Sequence, residues 1–306
     1  MLPFRKFVVY LSFSFFFLAN ISTSSSTPLP AFITEETSNN NNNINTIVNG
    51  RKVNMYPYSR EGERMKEEED VKVTGIFKIE SPSGKPISGM TLVSVDNAYV
   101  HPYSISGSGW ERTNENGTAS LSMKANKFFI VKGSKRPIYQ DLYIFGYAGK
   151  TDFYYTTLLG SKKEAKILAN KINVPYNESR GYIVIGLDDM INPMQGLIPS
   201  NLEPAIGASV EIKGFHEEEG GEKMEGANPI IFSPLPTEGN QIVEKGSSFV
   251  TFPNYEPKIR GKSQVTPPPS SQCLISPGFY SEDVNYMPVY AFPDAVTVVS
   301  YICIKI

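Results

Sequence analysis

Four side chains able to stack on or hydrogen-bond a ligand crowd one stretch of this chain: Tyr99, His101, Tyr103 and Trp110, within residues 96–112. Aromatic rings presented by a loop stack on sugars or anchor a protein contact, so this stretch is the candidate ligand-binding site. Trp110, the one tryptophan present, has a second possible use as the cap of a hydrophobic core. Histidine is scarce, with only His101 and His216. No G-x-S-x-G elbow, H-E-x-x-H helix, P-loop or dinucleotide fingerprint accompanies either one, so no catalytic residue is assigned. Asp188 and Asp189 with Asn192, and Glu217, Glu218, Glu219 and Glu222, offer the oxygen ligands that calcium takes. Neither group has the twelve-residue spacing of a calcium loop. Both read as solvated turns, and neither a metal nor a cofactor is expected.

The compartment is read from the start of the chain. Arg5 and Lys6 precede an apolar stretch from Phe7 to Ala19, followed by small polar residues. That order is the n-region, h-region and cleavage zone of a secretory signal, and its core is shorter than the roughly 20 residues of a membrane span. Residues 1–24 are therefore expected to be a signal peptide and the product to be secreted, with no membrane span. In an oxidising compartment the two cysteines, Cys273 and Cys303, are expected to pair, closing a loop of about 30 residues and stabilising the fold by roughly 3–4 kcal/mol. The alternatives are two buried thiols or a metal pair, which two cysteines without histidines would serve poorly. Asn116-Gly-Thr118 and Asn177-Glu-Ser179 are glycosylation sequons.

Charge limits the partners. The chain holds 29 basic and 31 acidic residues, a net charge of −2. Without Arg5 and Lys6 this becomes 27 against 31, or −4. Such a balance argues against a nucleic-acid partner and leaves an extracellular protein or a glycan.

The elements that must carry these residues are strands. Tyr (17) and Phe (18) are abundant and sit in short Val-, Ile- and Thr-rich runs punctuated by Pro and Gly, as many-turned sheets require. Residues 25–70, with an Asn run and the charged stretch at 60–70, are expected to form a disordered leader. From Val71 the alternation of a half-buried strand begins. A phrase then occurs twice: GKPISGMTLVSV at 84–95 and LEPAIGASVEI at 202–212. Each is answered later, by NENGTASLSM at 114–123 and VEKGSSFVTF at 243–252. Gly89 and Gly207 are 118 residues apart, and Gly117 and Gly246 are 129 apart. Asn116-Gly117 is a hairpin signal, and the strands at 118–123 and 127–131 are expected to pair. Ser161-Lys-Lys-Glu164 has capping-box spacing, with Ala165, Leu168, Ala169 and Ile172 on one face of the helix it starts.

These signals predict an all-β protein: two tandem antiparallel β-sandwich domains, at 71–160 and 181–306, joined by a helical linker at 161–180. The first phrase, with Gly75, Gly84, Pro86, Ile87, Gly89, Thr113 and Gly117, resembles the carboxypeptidase regulatory-like domain family. Met90 departs from that family's usual small residue, and the second phrase keeps only Pro204, Gly207, Ala208 and Val210. The resemblance implies a transthyretin-like sandwich with an extracellular accessory or binding role, and brings no catalytic residues with it. The expected function is therefore a secreted, non-enzymatic protein serving binding, adhesion or structure. Two alternatives stand beside it: a carbohydrate-binding accessory module, and a secreted hydrolase whose acidic pair would converge with His101 or His216.

Overall fold

The computed structural model describes residues 45–48, 51–54, 71–95, 109–191, 202–214, 224–233, 235–243, 248–257, 260–277 and 286–306. The expected signal peptide and most of the expected leader lie outside these residues. Between residues 25 and 70, β1 (Asn45–Val48) and β2 (Arg51–Asn54) pair antiparallel.

The first half comprises β3 (Lys72–Glu80), β4 (Thr91–Val95), β5 (Gly109–Arg112), β6 (Thr118–Lys124), β7 (Lys127–Ser134), β8 (Asp141–Ala148) and β9 (Phe153–Leu158). Helix α1 (Lys162–Lys171) follows. The second half comprises β10 (Gly181–Met190), β11 (Leu202–Pro204), β12 (Ser209–Gly214), β13 (Ile230–Ser233), β14 (Leu235–Glu238), β15 (Phe249–Tyr255), β16 (Arg260–Thr266), β17 (Ser271–Ile275), β18 (Tyr286–Tyr290) and β19 (Ala295–Lys305). Among the described residues the protein is all-β apart from one helix. Ser161 caps that helix, with the Glu164 side chain returning to the cap backbone. Its sheltered face is the expected one, led by buried Ala169.

The pairing pattern repeats. In the first half β3 lies between antiparallel β6 and parallel β9; in the second, β10 lies between antiparallel β15 and parallel β19. The facing sheets repeat likewise, β4–β7–β8 in one half and β12–β16–β18 in the other. The repeated phrase also closes the same hydrogen bonds. Gly89 N–H donates to the Thr113 carbonyl at 2.7 Å and Gly207 N–H to that of Ile242 at 2.7 Å. In return Thr113 N–H reaches the Met90 carbonyl at 2.9 Å, and Ile242 N–H that of Ala208 at 2.8 Å. Both glycines hold positive φ, at 68° and 94°, which a side chain would strain.

Two features depart from expectation. β6 and β7 do not pair: β6 joins β3, while β7 joins β4 and β8. Ala119, Leu121 and Met123 from one strand and Phe129 and Val131 from the other enter the same core from opposite sheets. Asn126, at φ 55°, lies in the turn between them. The second departure is that the sandwich is not wholly antiparallel. β19 runs parallel to both β10 and β8 and joins the halves into one eleven-stranded sheet.

That sheet is covered on opposite faces at its two ends. The β6–β3–β9 sheet buries Leu92, Val131, Leu142, Ile144 and Val298. The β12–β16–β18 sheet buries Tyr143, Phe145, Ile185, Val299 and Tyr301. The second cover reaches β8, where Phe292 stacks on Tyr143 with centroids 3.7 Å apart. Beyond β8 that cover thins out: on the same face Ile130 of β7 is still buried, Lys132, Ser134, Thr91 and Val93 are half-buried, and Trp110 and Arg112 of β5 are exposed.

Candidate functional site

Trp110 stands at the exposed end of that face. The register sets Trp110 opposite Val93, Val93 opposite Lys132, and Lys132 opposite Tyr143, so the four side chains form one row across β5, β4, β7 and β8. Two residues along, Arg112 stands opposite Thr91 and Thr91 opposite Ser134. Trp110 is 67% exposed. It does not cap the core, because its strand is the sheet edge and the covering sheet ends short of it. Arg112 is also exposed, and the Lys132 ammonium lies 5.5 Å from the Tyr143 ring centroid. Tyr99, His101 and Tyr103 fall outside the described residues, as do His216, Asn192 and Glu217–Glu222.

Next to this face lies a network of ion pairs that sequence reasoning missed. Arg136 grips the Asp141 carboxylate with two hydrogen bonds, at 3.1 and 2.9 Å, and the Ser134 hydroxyl donates to it at 2.7 Å. Lys132 stands 3.6 Å from the same group. Burial pushes the Asp141 carboxyl up, but Arg136, Ser134 and Lys132 together outweigh it and hold it below the usual carboxylate range. Asp294 receives Lys162 from α1 and the Tyr176 hydroxyl at 3.2 Å, with Arg136 at 3.8 Å. Burial first, then Asp294, pushes the Tyr176 phenol well above its ordinary value. The Asp141 N–H donates to the Asp294 carbonyl at 3.1 Å, which ties the network across the joint between halves. Its partners lie as far as 158 residues apart, from Arg136 to Asp294, and no local motif marks them. Chemically the network is a clamp: each carboxylate is already held by cations or hydroxyl donors.

Asp188 and Asp189 are not a solvated turn but consecutive residues of β10. Successive side chains of a strand point to opposite faces, so the two carboxylates cannot share one cation. Burial raises Asp188 to about 7, against the pull of Ser248 and with a further push from Asp189. On the same face the Tyr155 hydroxyl bonds the Ser300 hydroxyl at 2.8 Å, and burial lifts that phenol to about 12. Asp189 is raised by burial, which Lys305 partly offsets. Among the described residues no group of three or more His, Cys, Asp or Glu is placed to hold a metal ion.

Cys273 and Cys303 form a disulfide between directly opposed residues of β17 and β19, and both are buried. Both sequon asparagines are exposed. Asn116 lies in the β5–β6 turn. Asn177 accepts hydrogen bonds at its Oδ1 from the Ser179 N–H at 2.9 Å and hydroxyl at 2.7 Å. Among the described residues no helix is long and apolar enough to cross a membrane.

No protein-family model matches the chain, and no curated protein matches it. Among solved structures it is similar to the minor pilin GBS52 of Streptococcus agalactiae, at 10% identity over 77% of this chain and 96% of that one, with a TM-score of 0.24. It is similar to the shaft pilin SpaA of Lactobacillus rhamnosus GG at 10% identity, over 76% and 97%, with a TM-score of 0.23. A hydroxyquinol 1,2-dioxygenase of Pseudomonas putida DLL-E4 is similar at 11% identity, over 39% and 68%, with a TM-score of 0.25. Likeness at this level carries no function across, and the role of this chain rests on its own residues.

Proposed function

We propose that this chain is a secreted, non-enzymatic protein of two tandem β-sandwich domains, at 71–160 and 181–306, with an extracellular binding, adhesion or structural role. The observation that carries this reading is β19, which completes both cores and holds the buried disulfide to β17. A scaffold stitched in this way suits a molecule that must keep its shape outside the cell. The Asp141 and Asp294 carboxylates serve the same end, being spent on internal clamps. Expression of the full chain in a secretory host tests the reading. The expected product is recovered from the medium, lacks about the first 24 residues and contains the Cys273–Cys303 bridge by peptide mapping. Retention inside the cell with both thiols free would overturn it.

The exposure of Trp110 favours a second reading, a carbohydrate-binding accessory module. An indole on a flat sheet face is a stacking plate for a sugar ring. Since Trp110 is the one tryptophan, its emission reports on this position alone. A shift on titration with a glycan panel supports the reading, and an unchanged spectrum across the panel counts against it.

A further inference from the structure

We infer that the part of the β5–β4–β7 face around exposed Trp110 and Arg112 and half-buried Lys132 takes an acidic polysaccharide, a chain of uronate sugars. Trp110 is the stacking plate, and Arg112 and Lys132 receive the carboxylates. The inference rests on the carbohydrate-binding reading above and names its ligand class. Strands lie about 4.8 Å apart and residues rise about 3.4 Å along each, so Arg112 and Lys132 both leave the backbone within about 10 Å of where Trp110 does. A sugar stacked on Trp110 and its neighbour along the polymer therefore reach both cations. Lys132 keeps a third of its side chain exposed while paired with Asp141. In the register rows that cross β5, β4 and β7 on this face, Arg112 and Lys132 are the charged residues among those described, both cationic, and the neighbouring Asp141 carboxylate is already held by Arg136 and Ser134. Glu111, next to Trp110, is paired with Leu92 and belongs to the opposite face. The chain as a whole is acidic, so this positive charge is local, as charge complementarity to an anion requires. A neutral glycan would need the indole but not the cations. Single-stranded nucleic acid also stacks on aromatics, and it forms an arm of the test.

The test uses the full-length protein at low salt, with binding read by tryptophan emission and calorimetry. The probes are an oligogalacturonate, its fully methyl-esterified form and a single-stranded oligonucleotide. The acidic oligosaccharide is expected to bind saturably and at least tenfold tighter than the ester. Arg112→Gln and Lys132→Gln should each weaken the acid at least threefold, leaving the ester unchanged. Trp110→Ala should abolish binding by calorimetry with the melting temperature kept. Equal affinity for acid and ester overturns the inference but leaves the glycan reading standing. No response to any sugar in the wider glycan panel overturns both, and tighter binding of the oligonucleotide than of the uronate assigns the face to a different partner.

Discussion

Val299 lies opposite Phe145 where β19 runs parallel to β8, and both side chains are buried in the core of the second half. Its neighbour Val298 points the other way, into the core of the first half. One strand thus contributes alternate residues to two cores, a direct result of the two-residue period of a pleated strand.

Unfolding should therefore be shared. Val298→Ala and Val299→Ala are each expected to cost about 1–3 kcal/mol by opening a cavity at a closely packed position. Scanning calorimetry should show one transition that both substitutions lower. Two separate transitions, each moved by only one substitution, would show that β19 does not couple the halves.

Gly117 is a sharper test of the repeated phrase. Its φ is +71°, and a Cβ there would stand 2.5 Å from the Ile79 carbonyl oxygen. Gly117→Ala should cost about 2 kcal/mol or more, since positive φ and backbone contact both penalise a side chain. Gly109→Ala, where a Cβ meets nothing within 4 Å, is the control expected to be nearly neutral in urea denaturation.

Asp188 makes stability depend on pH. Its carboxyl is raised to about 7 in the fold, so the folded state holds a proton that the unfolded state releases near pH 4. The contribution is complete below about pH 4 and is lost as pH rises through about 7. Asp188→Asn should remove this loss, stabilising the protein at pH 8 by roughly 1–2 kcal/mol and leaving it little changed at pH 4. Denaturation curves at the two pH values decide; an equal effect at both would refute the linkage.

Tyr301 ties the two sheets of the second half together. Its hydroxyl, fully buried, contacts the Ser263 hydroxyl at 2.7 Å and donates to the Ser263 carbonyl at 3.0 Å. Tyr301→Phe removes both contacts without opening a cavity, leaving the Ser263 hydroxyl its bond to the Met287 carbonyl at 3.2 Å, and should cost about 1–2 kcal/mol. Reducing the Cys273–Cys303 bridge should cost roughly 3 kcal/mol by freeing the unfolded chain. The two effects are separable by measuring the variant with and without reductant.

Much of the scaffold was legible in the residues. Gly89, Gly207, Thr113 and the offsets between the two phrases marked positions where the backbone must turn and bond in a set way, and Ser161 with Glu164 marked the helix. Local chemistry dictates such features, so a local reading finds them. The Val-, Ile- and Tyr-rich runs of β10 and β19 are the composition of strands, but composition does not say which strand would lie beside which. The pairing of β8 with β19 joins residues about 150 apart, and Asp141 and Asp294 meet only because of it. Trp110 shows the same limit at the candidate site. Its type invited both burial and display, and only the reach of the covering sheet decides between them.

The sharing of β19 also sets an order of events during synthesis. The first half can close β3, β6 and β9 over Leu142 and Ile144 as soon as residue 158 has emerged. Ile130, Tyr143 and Phe145, on the other side of the same strands, must wait until residues 295–302 are delivered. For the time taken to make more than a hundred residues, the nascent chain displays an apolar surface beside an unpaired strand edge at β8. Such an edge recruits other chains, so this protein should depend on chaperones during biogenesis although its finished form is tightly stitched.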